Sequence, residues 1–563
     1  MFHKNQAHIQ QSLFGVESHL SKEKLEKLRK SKEYAFYQLV FCKIDESLFM
    51  PIFSDVGSRP NAPVNTLVSA LLLKDKKGWS TEEMLNHIDF DLLTRTALGL
   101  SSELDVTPFC EATFYNFQSR LSEYQAKTGI DLLESLFDKL TAEQLKALKI
   151  RADIQRCDSF QAMSNIRSYN RTELLIEVLI RLHRVLSESD KVLHKNLLEP
   201  YTSSPARKYV YRLKTTDISG ELDKLGRVYH TLYEALKTHY GNHEVFKVFE
   251  RVYHEHFTVA NETITINKPN SSFLQSPDDP DATYRKKNNK GFRGQVVNVS
   301  ETANSENALN LIVDVAVAPN NVDDSAVLNG RLESMHKKTP ELIELHTDGG
   351  YGSVDNDTTM ANNNILQIQT AIRGRSAEVV MEIVKTDSGE FCVSCPCQKN
   401  VVATKTKTRN VVQFDNAVCQ SCDKRDACCT IQQKNSRAWY FEDTQYLTCQ
   451  RQQRINLIPQ ERRGIRANVE ATMNEYTALF NHKNKLKYRG RFKTMLHVCA
   501  MSICINFGRI YRHLAEKIKK LGHTGLFALI CTAIHLSMPA LKSRKRRMCC
   551  LQIPIFQRAS IFC

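Results

Sequence analysis

Apolar and polar positions divide the chain into segments of contrasting period. In the first quarter, LVSALLLKD and STEEMLNHIDFDLLTRTALGL repeat apolar residues every three or four positions, the spacing of amphipathic helices. Ser80 precedes Thr81-Glu82-Glu83 and predicts an N-cap, with Glu83 at the reciprocal capping-box position. In TPFCEATFYNFQSRL, Thr113 is the expected cap of another short helix. Residues 1–125 therefore read as a helical N-terminal domain, either a DNA-binding or dimerising bundle or one that serves packing alone.

The period then changes. In LKIRADIQRCDSF, Ile150, Ala152 and Ile154 alternate with Arg151, Asp153 and Gln155, which predicts a strand ending near Asp158. Thr172–Leu197 and Leu222–Phe257 predict long amphipathic helices, with EPYTSSPARKYVYRLKTT as a loop between them. A polar linker follows, Ser271–Lys290, with turn chemistry at Asp279-Pro280-Asp281. GFRGQVVNVSE, LNLIVDVAVAP, PELIELHTD and ILQIQTAIR read as strands. A Cys-rich insert spans residues 389–449, and Gln460–Phe480 predicts a helix carrying Glu470. The basic stretch KNKLKYRGRFK leads into a largely apolar helix, MLHVCAMSICINFGRIYRHL. No internal repeat is visible.

Composition narrows the class. A chain of 563 residues is too long for one compact core, so two to four lobes are expected. Between Leu521 and Leu541 no Lys, Arg, Asp or Glu occurs, but the stretch includes His523, His535 and Pro539, and its mainly apolar part, Leu526–Met538, is too short to span a bilayer. MFHKNQAHIQQSLFG lacks the apolar core of a secretion signal, so a cytoplasmic, nucleoid-associated protein is expected. Seven of the 17 cysteines crowd between Cys392 and Cys429, which suggests a metal knuckle rather than a disulfide framework. The net charge is +15, yet from Arg451 onward 22 Lys and Arg face four acids, an excess of 18. Charge so concentrated favours a polyanion, most simply nucleic acid.

The chemistry follows from three acids. A strand ending at Asp158, a strand ending at Asp348 and a helix bearing Glu470 could bring carboxylates together on two metal ions. Mg²⁺ prefers oxygen donors. Two such ions stabilise the attacking and the leaving oxygen of a phosphodiester. Two Cys-x2-Cys knuckles, Cys392/Cys395 and Cys419/Cys422, could supply four thiolates to a tetrahedral Zn²⁺, with Cys397, Cys428 and Cys429 nearby.

The surrounding residues add a family likeness. RCDSFQAMSNIRSYNRTELLIEVLIRLHRVL, HTDGGYGS and RANVEATMNEY followed by LKYRGRFKTMLHVCAMSICINFGRI resemble the three acidic motifs of insertion-sequence DDE transposases. The DPDA turn, GFRGQVVN and RPNAPVNTLVSALLLKDKKGWSTEEML resemble that family too, so the likeness runs from about Ser58 to Arg512. It implies an α/β fold: a ribonuclease-H-like mixed-sheet core at residues 145–512, interrupted at about 170–275 and 389–449, with a basic irregular tail at 513–563. It makes Asp158, Asp348 and Glu470 ligands of two Mg²⁺ ions, with Mn²⁺ as a substitute. Arg466 lies one turn before Glu470 and would meet phosphate. With Arg489, Arg491 and Lys493 it forms the expected DNA-binding set. Some related families carry a Lys where this chain has Thr477; Lys483, Lys485 and Lys487 are the nearest replacements. The likeness implies Cys395, Cys419, Cys422 and Cys428 as ligands of a structural Zn²⁺, with Cys392 the alternative. The expected function is transposition: cleavage at terminal inverted repeats and strand transfer into target DNA by a homodimer or larger oligomer. The rivals are a transposase-derived DNA-binding protein without catalysis and a nuclease that cannot join strands.

Overall fold

The computed structural model describes residues 2–9, 16–54, 60–100, 107–260, 263–369 and 378–521. Contacts divide the chain into Met1–His513 and Leu514–Cys563. Of the second unit only the end of the helix Arg491–Leu521 is described; the apolar stretch from Leu526 and the basic tail lie outside the described residues. No described helix is long and apolar enough to cross a membrane.

The first unit is mixed α/β, built on a six-stranded sheet. Its strands are β1 (Ile154–Met163), β4 (Thr283–Lys287), β5 (Lys290–Thr302), β6 (Ile312–Pro319), β7 (Glu344–Thr347) and β8 (Leu366–Gln369); β2 (Phe257–Ala260) and β3 (Thr263–Ile266) form a separate hairpin. The sheet order is β4-β5-β1-β7-β8, with β6 also beside β5. β1, β5 and β6 run antiparallel, whereas β7 and β8 run parallel to β1. One face of the sheet, through Val297, Val299 and Val315, joins a core shared with Leu71, Leu136 and Ile505. The N-terminal helices and the long C-terminal helix thus bury apolar surface against the same strands. On the other face, Cys157 and Leu345 pack on Leu328 and Leu332 of the helix Asp324–Lys338.

The local signals held where no tertiary contact competed. Ser80 caps Thr81–Phe90 and closes the capping box with Glu83. Six expectations need correction. The helix at Thr113 begins two residues earlier and is long, Glu111–Thr128, with Cys110 at its N-cap. The strand near Asp158 continues to Met163, because β5 pairs with it throughout. Thr172–Leu197 is broken: Arg171–Val185 stops before Ser187, whose hydroxyl accepts from the Asp190 N–H and starts a new helix. The supposed loop after it holds the helix Ala206–Tyr211, drawn in by burial of Tyr201 and Ala206. The second long segment is also split, into Ile218–Tyr240 and Glu244–His256, around Gly241.

The sixth correction bears on the site. Gln460–Phe480 is not one helix but Gln460–Arg463, a 3-10 turn Arg466–Asn468, a short helix Val469–Asn474 and a second 3-10 turn Thr477–Leu479. The Arg156 guanidinium donates to the Ile465 carbonyl at 3.0 Å, and the Val469 N–H turns back to Arg466 and Ala467. A contact from β1 therefore displaces the bond that a continuous helix would make.

Candidate acidic cleft and thiol cavity

Parallel pairing of β1 with β7 covers only Ile154↔Glu344 to Arg156↔His346. Asp158 and Asp348 stand two residues beyond the last pair, one on each strand. They meet where the ladder splays, at the carboxyl ends of parallel strands, a place where α/β sheets commonly bind ligands. Asp158 stays in β1 opposite Val299, and its Oδ1 accepts from the Ser159 N–H at 2.8 Å. Asp348 leaves β7 and caps the Gly349–Tyr351 turn, its Oδ1 accepting from the Gly350 N–H at 2.7 Å.

Arg466 occupies the gap. Its Nη2 lies 2.8 Å from Asp158 Oδ2 and 3.9 Å from Asp348 Oδ2. The side chains differ in exposure: Asp158 12%, Arg466 23%, Asp348 38%. Burial pushes the Asp158 carboxyl above its usual range, the charge of Asp348 adds to that, and Arg466 opposes it. Arg466 Nε has no hydrogen-bond partner among the described residues.

Two anchors seat the segment that carries Arg466. Arg462 pairs with Glu344 on β7, and Arg156 on β1 holds Ile465. Beneath them, fully buried Glu301 on β5 receives Arg156 Nε at 2.7 Å and Arg509 Nη1 at 2.7 Å, and accepts from the Thr472 hydroxyl at 2.7 Å. The short helix with Glu470 is thereby fixed against the sheet. Glu470 itself is exposed and has no polar partner among the described residues.

Asp324 was not singled out from the sequence. It opens the helix Asp324–Lys338 and accepts from the Ser159 hydroxyl at 2.8 Å. A Cβ at Gly350 would touch both Asp348 and Asp324, so this acid lies beside the Asp348 turn. The adjacent pair Asp323-Asp324 signals only a helix start in sequence. Tyr351, buried below the turn, accepts from Asn298 Nδ2 at 2.6 Å.

The other expected DNA-binding residues are distributed differently. Arg489 donates to the Asn165 carbonyl at 2.9 Å and lies 3.9 Å from Asp278, so it staples a loop. Lys485 and Lys487 spend their ammonium groups on the carbonyls of Ile166 and Gly78. The side chains of Arg491 and Lys493 are exposed without a polar partner among the described residues.

In the Cys-rich insert, a three-stranded sheet (Glu382–Lys385, Phe391–Ser394, Val401–Val402) adjoins a four-stranded one built on Asn410–Asp415 and Ser436–Phe441. A cavity of about 20 Å³ is lined by Cys395, Cys397, Cys419, Cys422 and Cys428. Cys397 and Cys422 sulfurs are 3.3 Å apart, and Gln398 donates to Cys395 at 3.2 Å and to Cys419 at 3.3 Å. Cys392 lies on the strand Phe391–Ser394, outside the cavity lining.

As donor sets, the acids suit a hard divalent ion and the thiols suit zinc. Among the described residues, however, no three His, Cys, Asp or Glu side chains already converge as metal ligands. No protein-family model, curated protein or solved structure matches the chain.

Proposed function

We propose that the chain is a DNA transposase that cleaves and joins DNA strands with divalent metal ions. The observation that carries this reading is the pairing of Asp158 and Asp348 at the splayed ends of β1 and β7, bridged by Arg466. The sheet supports a ribonuclease-H-like core: β1, β5 and β6 run antiparallel, β7 and β8 run parallel to β1, and β4 is an added strand beside β5. Asp158 and Asp348 would hold the metal, and Glu470 presents a third carboxylate on the adjoining helix. Bound ions of this kind supply charge stabilisation to the attacking and leaving oxygens. Arg466, whose side chain is partly exposed, would take a phosphate oxygen through its guanidinium, which would draw it off the two aspartates. Arg491 and Lys493 would hold flanking phosphates, which fix position without reading sequence. The substrates are terminal inverted repeats and target DNA, the working form is a homo-oligomer on DNA, and the site of action is the cytoplasmic nucleoid. The thiol cavity would order the insert around one structural Zn²⁺ held by four of its cysteines.

One observation favours a second reading, a DNA-binding protein without catalysis. Arg466 already pairs with both aspartates, and no three-acid cluster is assembled among the described residues. DNA flanking the gene, incubated with protein and Mg²⁺, separates the two. Wild-type protein should nick the ends and yield strand-transfer products. Asp158→Asn, Asp348→Asn and Glu470→Gln should each lower cleavage on the order of 10²–10³-fold while keeping end binding. Binding with no metal-dependent nicking by the wild type would leave the second reading.

A further inference from the structure

We propose that the ribbon formed by β4 and the start of β5 is a DNA-gripping finger that holds the duplex backbone about one turn from the acidic cleft. The inference rests on the reading of this chain as a DNA-processing enzyme.

The ribbon extends beyond the sheet. β1 pairs with β5 only as far as Met163↔Gly294, whereas Lys290 to Arg293 pair with β4 alone. Gly294 marks the departure: its φ is +151°, and a Cβ there would fall 2.2 Å from the Ala162 carbonyl oxygen. The tip is a two-residue turn, Asn288-Asn289, with both φ values positive, the tight hairpin geometry that matches strand twist.

The ribbon's sequence, YRKKNNKGFR, has five cations and no acid. Two of the five serve the fold. Arg285 donates to the carbonyls of Asn320 and Val322, and Arg293 stacks on Tyr284 and reaches the Ser168 hydroxyl. The other three, Lys286, Lys287 and Lys290, are exposed and make no ion pair among the described residues, although the Lys290 ammonium lies over the Phe292 ring at 5.4 Å. Lys287 and Lys290 stand directly opposite each other across the hairpin. Like charges in that position repel and weaken the hairpin. Lysine on an edge strand can deter sheet-to-sheet pairing, but that purpose does not call for two facing each other. A polyanion laid across the tip turns the repulsion into attraction.

Distance selects the duplex. Lys290 is nine residues along β5 from Val299, the partner of Asp158, which is about 30 Å at strand rise. A DNA turn rises about 34 Å, and a two-stranded ribbon fits the major groove. A phosphate at Asp158 would therefore set the next turn of the same groove at the lysines.

The test is a salt titration of binding by the full chain to a 40-bp duplex, read by fluorescence anisotropy. Lys286→Ala/Lys287→Ala/Lys290→Ala should weaken binding and lower the log–log salt slope by about two to three units, near 0.9 per phosphate contact. Its melting temperature should hold or rise, since a repulsion is removed; Lys290→Ala alone should lower the slope by about one unit. An unchanged slope in the triple variant overturns the finger alone, because metal-dependent nicking is scored separately on the same protein. A wild type that does not bind duplex overturns both readings. Tighter binding to single-stranded RNA or to phosphatidylserine vesicles than to duplex, lost in the triple variant, overturns DNA as the ribbon's partner.

Discussion

The acidic cleft and the thiol cavity both gather side chains able to ligate metals, but they are held in opposite ways. Around the cleft, positions are set by ion pairs: buried ones of Glu301 with Arg156 and Arg509, and a partly exposed one of Arg462 with Glu344. These bonds exist without a ligand, so the strands and the Arg466 segment are organised in advance. The cysteines stand on loops and on the short helix Asn416–Gln420 around a small core of Ile383, Val393, Val412 and Phe414, and touch one another and Gln398. A core that small orders its loops poorly unaided, and the proposed zinc would supply the missing free energy. In the cleft the fold positions the chemistry; in the insert, on this proposal, the chemistry would position the fold.

The largest effect should come from breaking the buried pairs. Glu301→Gln strands the Arg156 guanidinium without its countercharge and leaves Arg509 only Glu475, and it should cost about 3–5 kcal/mol, read as a shift in the urea midpoint. A loss below about 1 kcal/mol would mean that the cleft is not organised in this way. In the insert, Cys422→Ser should abolish bound zinc, about one ion per chain in the wild type by elemental analysis. Proteolysis should then begin within residues 389–449, while the core melts at the wild-type temperature. If the core melts with the insert, the two regions are not independent.

A smaller, pH-dependent effect belongs to the helical insertion, which uses neither device. His256 is buried and accepts a hydrogen bond from Arg171 Nε at 2.9 Å. Burial, with the Arg171 charge adding to it, lowers its pKa from 6.5 to about 3. Below pH 6.5 the unfolded chain binds a proton that the folded chain refuses. Stability is therefore complete above that value and is lost as pH falls towards 3. His256→Gln should flatten the dependence of the urea midpoint between pH 6.5 and 4.5, and an equally steep curve would place the titration elsewhere. Smallest is Ser80→Ala, which opens a surface cap and should cost about 1 kcal/mol with no effect on zinc or DNA binding.

What the sequence made legible follows the same division. Ser80 and Glu83 cap within one turn, and β5, β6 and β7 fall where alternation and apolar runs put them. Asp158 and Asp348 were singled out in sequence, and the structure brings them together with Arg466. The broken helix around Arg466 was not legible, since its cause is a guanidinium from more than 300 residues earlier. Asp324 was hidden for a like reason: its tie to Ser159 joins residues 165 apart. Lys485, Lys487 and Arg489 read as free cations because their carbonyl partners on distant loops carry no side-chain signature.

The central claim, that Asp158 and Asp348 form a divalent-ion site, has a direct test in iron-directed backbone scission. Fe²⁺ replaces Mg²⁺, and ascorbate with peroxide generates radicals that cut the chain close to the bound ion. Scission should cluster near residues 158 and 348, fade with excess Mg²⁺, and disappear in the Asp158→Asn/Asp348→Asn double variant. Scission that ignores both Mg²⁺ and the two substitutions, or that falls only within residues 389–449, would contradict the account.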